Sequence, residues 1–204
     1  MARALYLTHP EVVIDPSVPT PLWGLSDLGH ARAQAFAARG LIGTNAVIFS
    51  STERKALELA ETIAEPLGLR VTADPAFGEN DRSATGYLPA ALFEGTADRF
   101  FAEPDRSIDG WETARAAQNR IVTAVGIALA SVPADIQAVF CGHGAVGTLL
   151  KCHCGHLAIA RQEDQRRLAD PGGGNAFVFD LTGPSLYCDW IDMADLDKTL
   201  LMAP

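Results

Sequence analysis

Residues 46–66 have the sequence AVIFSSTERKALELAETIAEP, in which a strand pattern runs directly into a helix pattern. The segment Ala46–Ser50 is apolar, β-branched or aromatic, which is typical of a short buried strand. Thr52–Pro66 follows with alanine, leucine and isoleucine at helical spacing and predicts a helix. A strand that is followed at once by a helix is the unit from which α/β folds are built.

The same alternation of strands and helices extends along the rest of the chain. Further strands are predicted at Ala4–Thr8, Arg70–Thr72, Gln137–Cys141, Asn175–Leu181 and Ser185–Ile191. Further helices are predicted at Ser26–Arg39 (with Ser26 as the N-cap), Ala90–Ala102 and Trp111–Val132, and one more begins at Ala145. We therefore expect a three-layer α/β/α sandwich with a mainly parallel sheet, in which the last two strands form an antiparallel edge. Since neither a repeat nor a linker interrupts the pattern, residues 1–204 are expected to form a single domain.

The composition is that of an ordinary globular protein with an acidic surface. Of the 204 residues 48% are hydrophobic and 20% are charged, and the formal net charge is −9. A protein this acidic has no positive field to attract nucleic acid or an anionic membrane. The N-terminus does not resemble a signal peptide, no apolar run is long enough to span a membrane, and four unevenly spaced cysteines do not suggest a disulfide framework. We expect a cytoplasmic protein without a cofactor.

Chemically active side chains follow four of the predicted parallel strands. His9 follows the first strand, Lys55 lies just after the second, and His143 follows the fourth. The third strand leads into the polar segment 74–89, which is unusually long for a loop in a compact domain and contains Glu79. Because the carboxyl ends of parallel strands meet at one edge of the sheet, these side chains are expected to lie close together.

Two predicted helices begin at that same edge, at Thr52 and at Ala145. The N-terminus of a helix attracts anions through its free amides and its dipole. Gly142 and Gly144 would allow the backbone to approach a bound group closely. The residues at this edge therefore predict a binding site for an oxyanion that includes the two imidazoles.

The residues at this edge resemble the histidine phosphatase superfamily, the phosphoglycerate-mutase-like proteins. The similar segments, in chain order, are the strand end Leu5–His9, the segment Leu25–Ala33, the helix start Ser51–Glu61, the acidic residue Glu79, and the second-histidine motif Phe140–Gly144. In the family these correspond to an apolar strand ending in Arg-His-Gly, to Leu-Thr-x-x-Gly-x-x-x-Ala, to Ser-Pro-x-x-Arg-Ala…Ala-Glu, to the proton donor, and to the second histidine.

The resemblance implies a phosphatase that acts on a small phosphorylated substrate through a phosphohistidine. It implies that His9 is the nucleophile, that Glu79 is first the general acid and then the base, and that His143 binds the phosphoryl oxygens. A covalent intermediate divides one difficult step into two easier ones, and phosphoryl transfer depends mostly on positioning and charge stabilisation. Asp81 and Glu11 remain alternative acids.

Several residues depart from the family pattern. Thr8 takes the place of the arginine before the nucleophile, and Pro10 that of the glycine after it. Lys55 takes the place of a second arginine, and Asp15 that of an asparagine near the phosphate. Since the loss of one preorganised donor typically lowers a rate by about 10²–10³, a second interpretation stays open, namely a weakened or inactive anion-binding or regulatory protein on the same fold.

The predicted phosphate-binding residues are Thr8, Lys55, Arg82 and Asn175. Arg82 is expected to replace the missing arginine, with Arg54 as an alternative. Asn175 follows a glycine-rich turn that the resemblance places near the pocket. No metal is expected, because the spacing of Cys152–His156 (CHCGH) matches no standard pair of zinc ligands and the segment continues a helix.

Overall fold

The structure is a computed structural model that describes residues 3–201. Its strands are β1 (Ala4–Thr8), β2 (Val47–Ser50), β3 (Val71–Ala73), β4 (Ala138–Gly142), β5 (Asn175–Asp180) and β6 (Ser185–Asp192). Its α-helices are α1 (Asp27–Ala38), α2 (Arg54–Ala64), α3 (Ala90–Ala102), α4 (Ala114–Ala130), α5 (Gly144–Cys154), α6 (Gln165–Leu168) and α7 (Lys198–Leu201). Short 3₁₀ turns lie between several of these elements.

The strands form one mixed sheet in the order β3-β2-β4-β1-β5-β6. Strands β3, β2, β4 and β1 are parallel to one another, whereas β5 is antiparallel to both β1 and β6. The predicted α/β class and the antiparallel edge are thereby confirmed.

Helices cover both faces of the sheet, so that the fold has three layers. Alternate residues of β1 point into two separate cores, Leu5 and Leu7 into one and Tyr6 into the other. The first core also holds apolar side chains of α1 and α2, and the second holds those of α3, α4 and α5. Every residue of β1 and of β4 is buried, which explains why these strands are continuous apolar runs rather than alternating ones. No helix among residues 3–201 is long and apolar enough to cross a bilayer.

Local side-chain caps set where the predicted helices begin. The Ser26 hydroxyl accepts a hydrogen bond from the Gly29 amide at 3.1 Å, as its predicted N-cap role requires. The helix predicted from Thr52 begins two residues later, at Arg54, since its N-cap residue Glu53 is extended; the Ser51 hydroxyl accepts from the Glu53 amide at 3.1 Å in the turn before the helix. The helix predicted from Trp111 begins at Ala114, where the Thr113 hydroxyl caps the first turn. The short helices α6 and α7 were not predicted.

Backbone hydrogen bonds join the ends of the three central strands. The His9 amide donates to the Gly142 carbonyl at 3.0 Å, and the Ser51 amide donates to the Cys141 carbonyl at 3.1 Å. The residues that follow β1, β2 and β4 are thus fixed side by side at one edge of the sheet.

Candidate active site

His9 follows β1 directly, and its geometry determines which ring nitrogen is free. Its Nδ1 atom lies 2.9 Å from the Pro10 carbonyl oxygen. Because a carbonyl can only accept a hydrogen bond, Nδ1 carries the proton and Nε2 keeps its lone pair. Burial, together with the charge of Lys55, lowers the pKa of His9 to about 4. The imidazole is therefore neutral at physiological pH and presents a nucleophilic Nε2.

His143 follows β4 and lies edge-on to His9, with the ring centroids 5.3 Å apart. Its side chain is fully buried, and neither ring nitrogen has a hydrogen-bond partner among residues 3–201. Burial lowers the pKa of His143 well below its ordinary value, so this ring is also neutral. A buried imidazole without a partner is costly, and an oxyanion bound between the two histidines would provide one.

The Tyr6 hydroxyl holds the backbone of His143 in place. It accepts from the His143 amide and donates to the His143 carbonyl, both at 3.1 Å. Gly142 is required for this contact, since a Cβ atom there would lie 2.3 Å from the hydroxyl oxygen. A Cβ atom at Gly144 would likewise lie 2.3 Å from Nε2 of Gln165. Both glycines thus make room for a side chain of the protein, whereas the sequence suggested that they make room for a ligand.

Glu79 lies at the N-terminus of α5. Its carboxylate accepts hydrogen bonds from the amides of Ala145 and Val146 at 3.2 and 3.0 Å. Burial raises the pKa of Glu79 despite these bonds and the nearby positive charge of Arg82. A carboxyl group with a raised pKa beside a neutral imidazole is suited to proton donation.

Arg120 fixes the loop that carries Glu79. Its guanidinium donates to the carbonyls of Ala76, Gly78 and Glu79 at 3.0, 2.9 and 3.2 Å, and forms an ion pair with Glu112 at 2.8 Å. This long-range contact gives the polar segment a defined path past the sheet edge.

Lys55 is buried at this edge, with only 3% of its side chain exposed. Its Nζ atom donates to Oε2 of Glu53 at 2.5 Å and to the Thr20 carbonyl at 3.0 Å. Oε1 of Glu53 lies 3.4 Å from Nε2 of His143. Lys55 is thus linked to His143 through Glu53, an acidic residue that sequence reasoning did not single out, and it does not itself line the cavity described next.

A cavity of about 360 Å³ opens beside His9. Polar groups from the predicted edge line one side of it, among them Glu79, Asn80 and Arg82. Further lining comes from aromatic side chains of and around α3, from the start of α5, from the segment 161–166, and from the glycine-rich turn before β5, and it includes Phe93, Phe100, Phe101, Trp111, Gly144, Ala145, Arg161, Asp164, Gln165, Arg166, Pro171, Gly172 and Gly173.

The profile of the histidine phosphatase superfamily (branch 1) matches residues 21–185. The chain belongs to the histidine phosphatase superfamily. The matched range contains Lys55, Glu79 and His143, whereas His9 precedes it. The search of curated proteins finds no match.

Solved structures of the same fold include the native mycobacterial glucosyl-3-phosphoglycerate phosphatase. It has 20% sequence identity and a TM-score of 0.70, over 91% of this chain and 95% of that one. The same enzyme in complex with inorganic phosphate has 22% identity and a TM-score of 0.70, over 93% and 94% of the two chains. YhfR of Bacillus stearothermophilus has 17% identity and a TM-score of 0.72, over 91% and 94%. At these identities the likeness concerns the fold.

In this member of the histidine phosphatase superfamily, Arg82 has the guanidinium that is free to bind a ligand. It forms neither an ion pair nor a side-chain hydrogen bond within residues 3–201, and it lies over the Phe93 ring at 5.2 Å. Arg54, the alternative, points away from the site, since it is exposed and donates to Glu58 at 2.7 Å. Arg82 is therefore the better candidate for the cation that replaces the missing arginine.

Thr8 and Asn175 face away from the cavity in this superfamily member. The Thr8 hydroxyl donates to Oε1 of Gln165 at 2.7 Å and accepts from the Asn175 amide at 2.9 Å. The Asn175 side chain donates to Gln165 and to the Asp170 carbonyl, and it accepts from the Asp170 amide. Since both side chains are fully buried with these partners, we correct the sequence expectation and leave both out of the proposed ligand set.

The alternative acids are less well placed than Glu79. Glu11 lines the cavity, but its Oε1 atom is paired with Arg32 at 3.0 Å. Asp81 is exposed, and hydrogen bonds from Ser83 lower its pKa. Asp15, expected near the phosphate, is also exposed and caps its own turn through Ser17.

The cysteine-rich segment lies at the end of α5. Cys152 and Cys154 are buried in its last turn, while His153 and His156 are exposed. Within residues 3–201 no three His, Cys, Asp or Glu side chains are grouped so that they could hold a metal ion.

Proposed function

We propose that the chain is a cytoplasmic, single-domain phosphomonoesterase that hydrolyses a small phosphorylated molecule through a phosphohistidine at His9. The observation that carries the proposal is the contact between Nδ1 of His9 and the Pro10 carbonyl oxygen, at 2.9 Å. It fixes the tautomer in which Nε2 has the lone pair, and the lowered pKa of His9 keeps that lone pair available. A nucleophile needs both properties.

The proposed reaction has two steps. Nε2 of His9 attacks phosphorus, the bond to the leaving oxygen breaks, and the protonated Glu79 transfers its proton to that oxygen. Water then attacks the phosphohistidine, Glu79 takes a proton from the water, and the phosphorus–nitrogen bond breaks to release inorganic phosphate. Donors from His143 and Arg82 stabilise the phosphoryl oxygens in both steps.

The ligand class is supported by the chemistry of the cavity. The Arg82 guanidinium offers cationic donors on the lining of the cavity beside His9, and such donors suit an oxyanion. The mycobacterial phosphatase of the same fold has been solved with inorganic phosphate and with vanadate.

A second candidate function is anion binding without turnover. The observation that favours it is the ion pair of Lys55 with Glu53, which engages one of the cations that would otherwise stabilise the transition state. Such a protein would bind phosphate or vanadate at His9 and His143 without forming a covalent intermediate.

The deciding experiment combines aryl phosphate turnover with trapping of the intermediate. We expect wild type to release the aryl alcohol and, after rapid quenching in alkali, to retain phosphate on a histidine. His9→Ala should abolish both signals. The control variant His153→Ala changes an exposed histidine of α5 and should alter neither. Vanadate binding without any turnover in wild type would favour the second candidate.

A further inference from the structure

Glu53 makes the contacts that a phosphate oxygen would be expected to make at this site. Its Oε2 atom accepts from the Lys55 ammonium at 2.5 Å. Its Oε1 atom accepts from the Glu79 amide at 3.0 Å and lies 3.4 Å from Nε2 of His143. A cation, a backbone amide and an imidazole are donors that commonly bind oxyanions in proteins.

Glu53 is charged across the physiological pH range although it is mostly buried. Burial alone would raise its pKa, but the charge of Lys55 and the hydrogen bonds from Lys55 and the Glu79 amide hold it well below its ordinary value. Lys55 is almost wholly buried, so its charge requires a partner within reach. In this structure that partner is Glu53, and the Lys55 charge is not offered to an incoming phosphate.

We propose that Glu53 is an internal competitor for the substrate phosphate, one that occupies Lys55 in the unliganded protein and is exchanged for a phosphoryl oxygen when ligand binds. The inference rests on the proposed function, because it takes the His9 site to be a phosphate site. It goes beyond that function because it proposes that Glu53, which is not among the predicted site residues, controls the affinity for the phosphate.

The structure provides space into which the Glu53 side chain can move. A second cavity, of about 710 Å³, lies against Glu53 on the side formed by Thr52, Gly78 and the turn around Ser17. Arg82 lines this cavity as well as the one beside His9. A carboxylate that turns away from Lys55 therefore enters solvent-accessible space near a cation, while Lys55 keeps an anionic partner in the ligand.

The exchange predicts that removal of the Glu53 charge strengthens phosphate binding. Glu53→Gln keeps the shape of the side chain and one oxygen that can accept from either Lys55 or the Glu79 amide, but removes the negative charge. We expect inorganic phosphate and vanadate to bind about ten- to a hundredfold more tightly by calorimetry at pH 7, as suits the loss of one nearby like charge. Glu61→Gln, which removes the same charge from an exposed position of α2, should leave both affinities unchanged.

Two further measurements separate competition from a purely structural role. Glu53→Gln combined with Lys55→Gln should bind phosphate more weakly than Glu53→Gln alone, because the released cation is then missing. A crystal structure of wild type with vanadate, which does not depend on the folding of any variant, should show Lys55 Nζ on a vanadate oxygen and the Glu53 carboxylate turned away. Unchanged or weaker binding by Glu53→Gln, equal binding by the double variant, or Lys55 still paired with Glu53 beside bound vanadate would each overturn the inference.

The proposed function and this inference fail separately. If wild type forms a phosphohistidine but Glu53→Gln gains no affinity, the phosphatase assignment stands and the competition is wrong. If Glu53→Gln binds phosphate more tightly but no variant turns over an aryl phosphate, the exchange stands in an anion-binding protein.

Discussion

Thr8→Val should destabilise the protein while leaving its phosphate site intact. The substitution replaces a hydroxyl by a methyl group of similar volume at the end of β1. It removes the bond to Oε1 of Gln165 at 2.7 Å and takes away the acceptor of the Asn175 amide at 2.9 Å. Thr8 is fully buried, so water cannot replace either contact.

The expected loss follows from these two contacts. The Asn175 amide is left without its acceptor, which costs roughly 1–3 kcal/mol for a buried donor, and the bond to Gln165 contributes about 1 kcal/mol more. Gln165 itself is not orphaned, because its Oε1 atom still accepts from the Asn175 side chain at 2.8 Å. Together these terms lower the free energy of unfolding by about 2–4 kcal/mol and the melting temperature by roughly 5–15 °C for a chain of this size.

Thr148→Val is the matched control in α5. Thr148 is also fully buried, but its hydroxyl has no hydrogen-bond partner within residues 3–201. The same change of hydroxyl to methyl should therefore alter the free energy of unfolding by less than about 1 kcal/mol, or raise it, because an unsatisfied polar group is removed.

Urea denaturation and vanadate calorimetry on both variants test the argument. We expect Thr8→Val to unfold at a lower urea concentration while its vanadate affinity, measured where it is folded, stays within about twofold of wild type. If Thr8→Val instead unfolds like Thr148→Val and loses vanadate affinity, the Thr8 hydroxyl is a phosphate ligand and the structural assignment is wrong.

Three further predictions concern the reaction. Because His9 must be neutral to attack and its pKa is about 4, kcat/KM for an aryl phosphate should persist down to about pH 4 and fall below it. Glu79, with its raised pKa, should remain an effective acid at a higher pH than an ordinary glutamate. A pH–rate profile in which kcat/KM already falls as the pH drops through about 6.5 would contradict the expectation for His9. Glu79→Gln should slow alkyl phosphates far more than aryl phosphates, since only a poor leaving group needs the proton, and equal losses on both would refute the role of Glu79 as acid. Arg82→Gln should weaken phosphate binding by about tenfold or more, because a charge-assisted hydrogen bond is lost. Arg54→Gln, on the exposed face, should leave phosphate binding unchanged. Equal effects of the two substitutions in calorimetry would rule out Arg82 as the compensating cation.

The fold and the convergence of the histidines could be predicted because they depend on patterns with a regular period. Buried strands that alternate with helices specify the α/β layers, and parallel topology then brings residues 9 and 143 to one edge. The ring separation of 5.3 Å between His9 and His143 agrees with that reasoning. Neither inference needs the direction of an individual side chain at a strand end.

The contacts of individual site residues depend on the direction in which each side chain points, and a periodic sequence pattern does not specify that direction. Thr8 was expected in the pocket because it takes the place of the arginine before His9, but its hydroxyl is bound by Gln165 and the Asn175 amide instead. Glu53 was expected in the first turn of the helix predicted from Thr52, but its backbone is extended and α2 begins one residue later. Arg120 reaches the Glu79 loop across 41 to 44 residues. The role of Tyr6 could have been suspected from the sequence, since its hydroxyl is the one polar group in the otherwise apolar segment Ala4–Leu7 and a buried hydroxyl needs a hydrogen-bond partner.

The charges around His9 connect the choice between enzyme and binder with the exchange at Glu53. Lys55 is paired with Glu53. Two further arginines that line the cavity are also paired, Arg161 with Glu94, Asp98 and Asp164, and Arg166 with Glu94. Arg82 therefore provides the uncompensated positive charge beside His9 in the described part of the chain, enough to attract a phosphate but not to match its dianion. When Glu53 leaves Lys55, a second cation becomes available, and phosphoryl transfer requires such charge on the equatorial oxygens. If the protein is an enzyme, Lys55→Gln should thus lower kcat more than it weakens the initial binding of phosphate. If it only binds anions, there is no turnover, and Lys55→Gln can change only the affinity for phosphate.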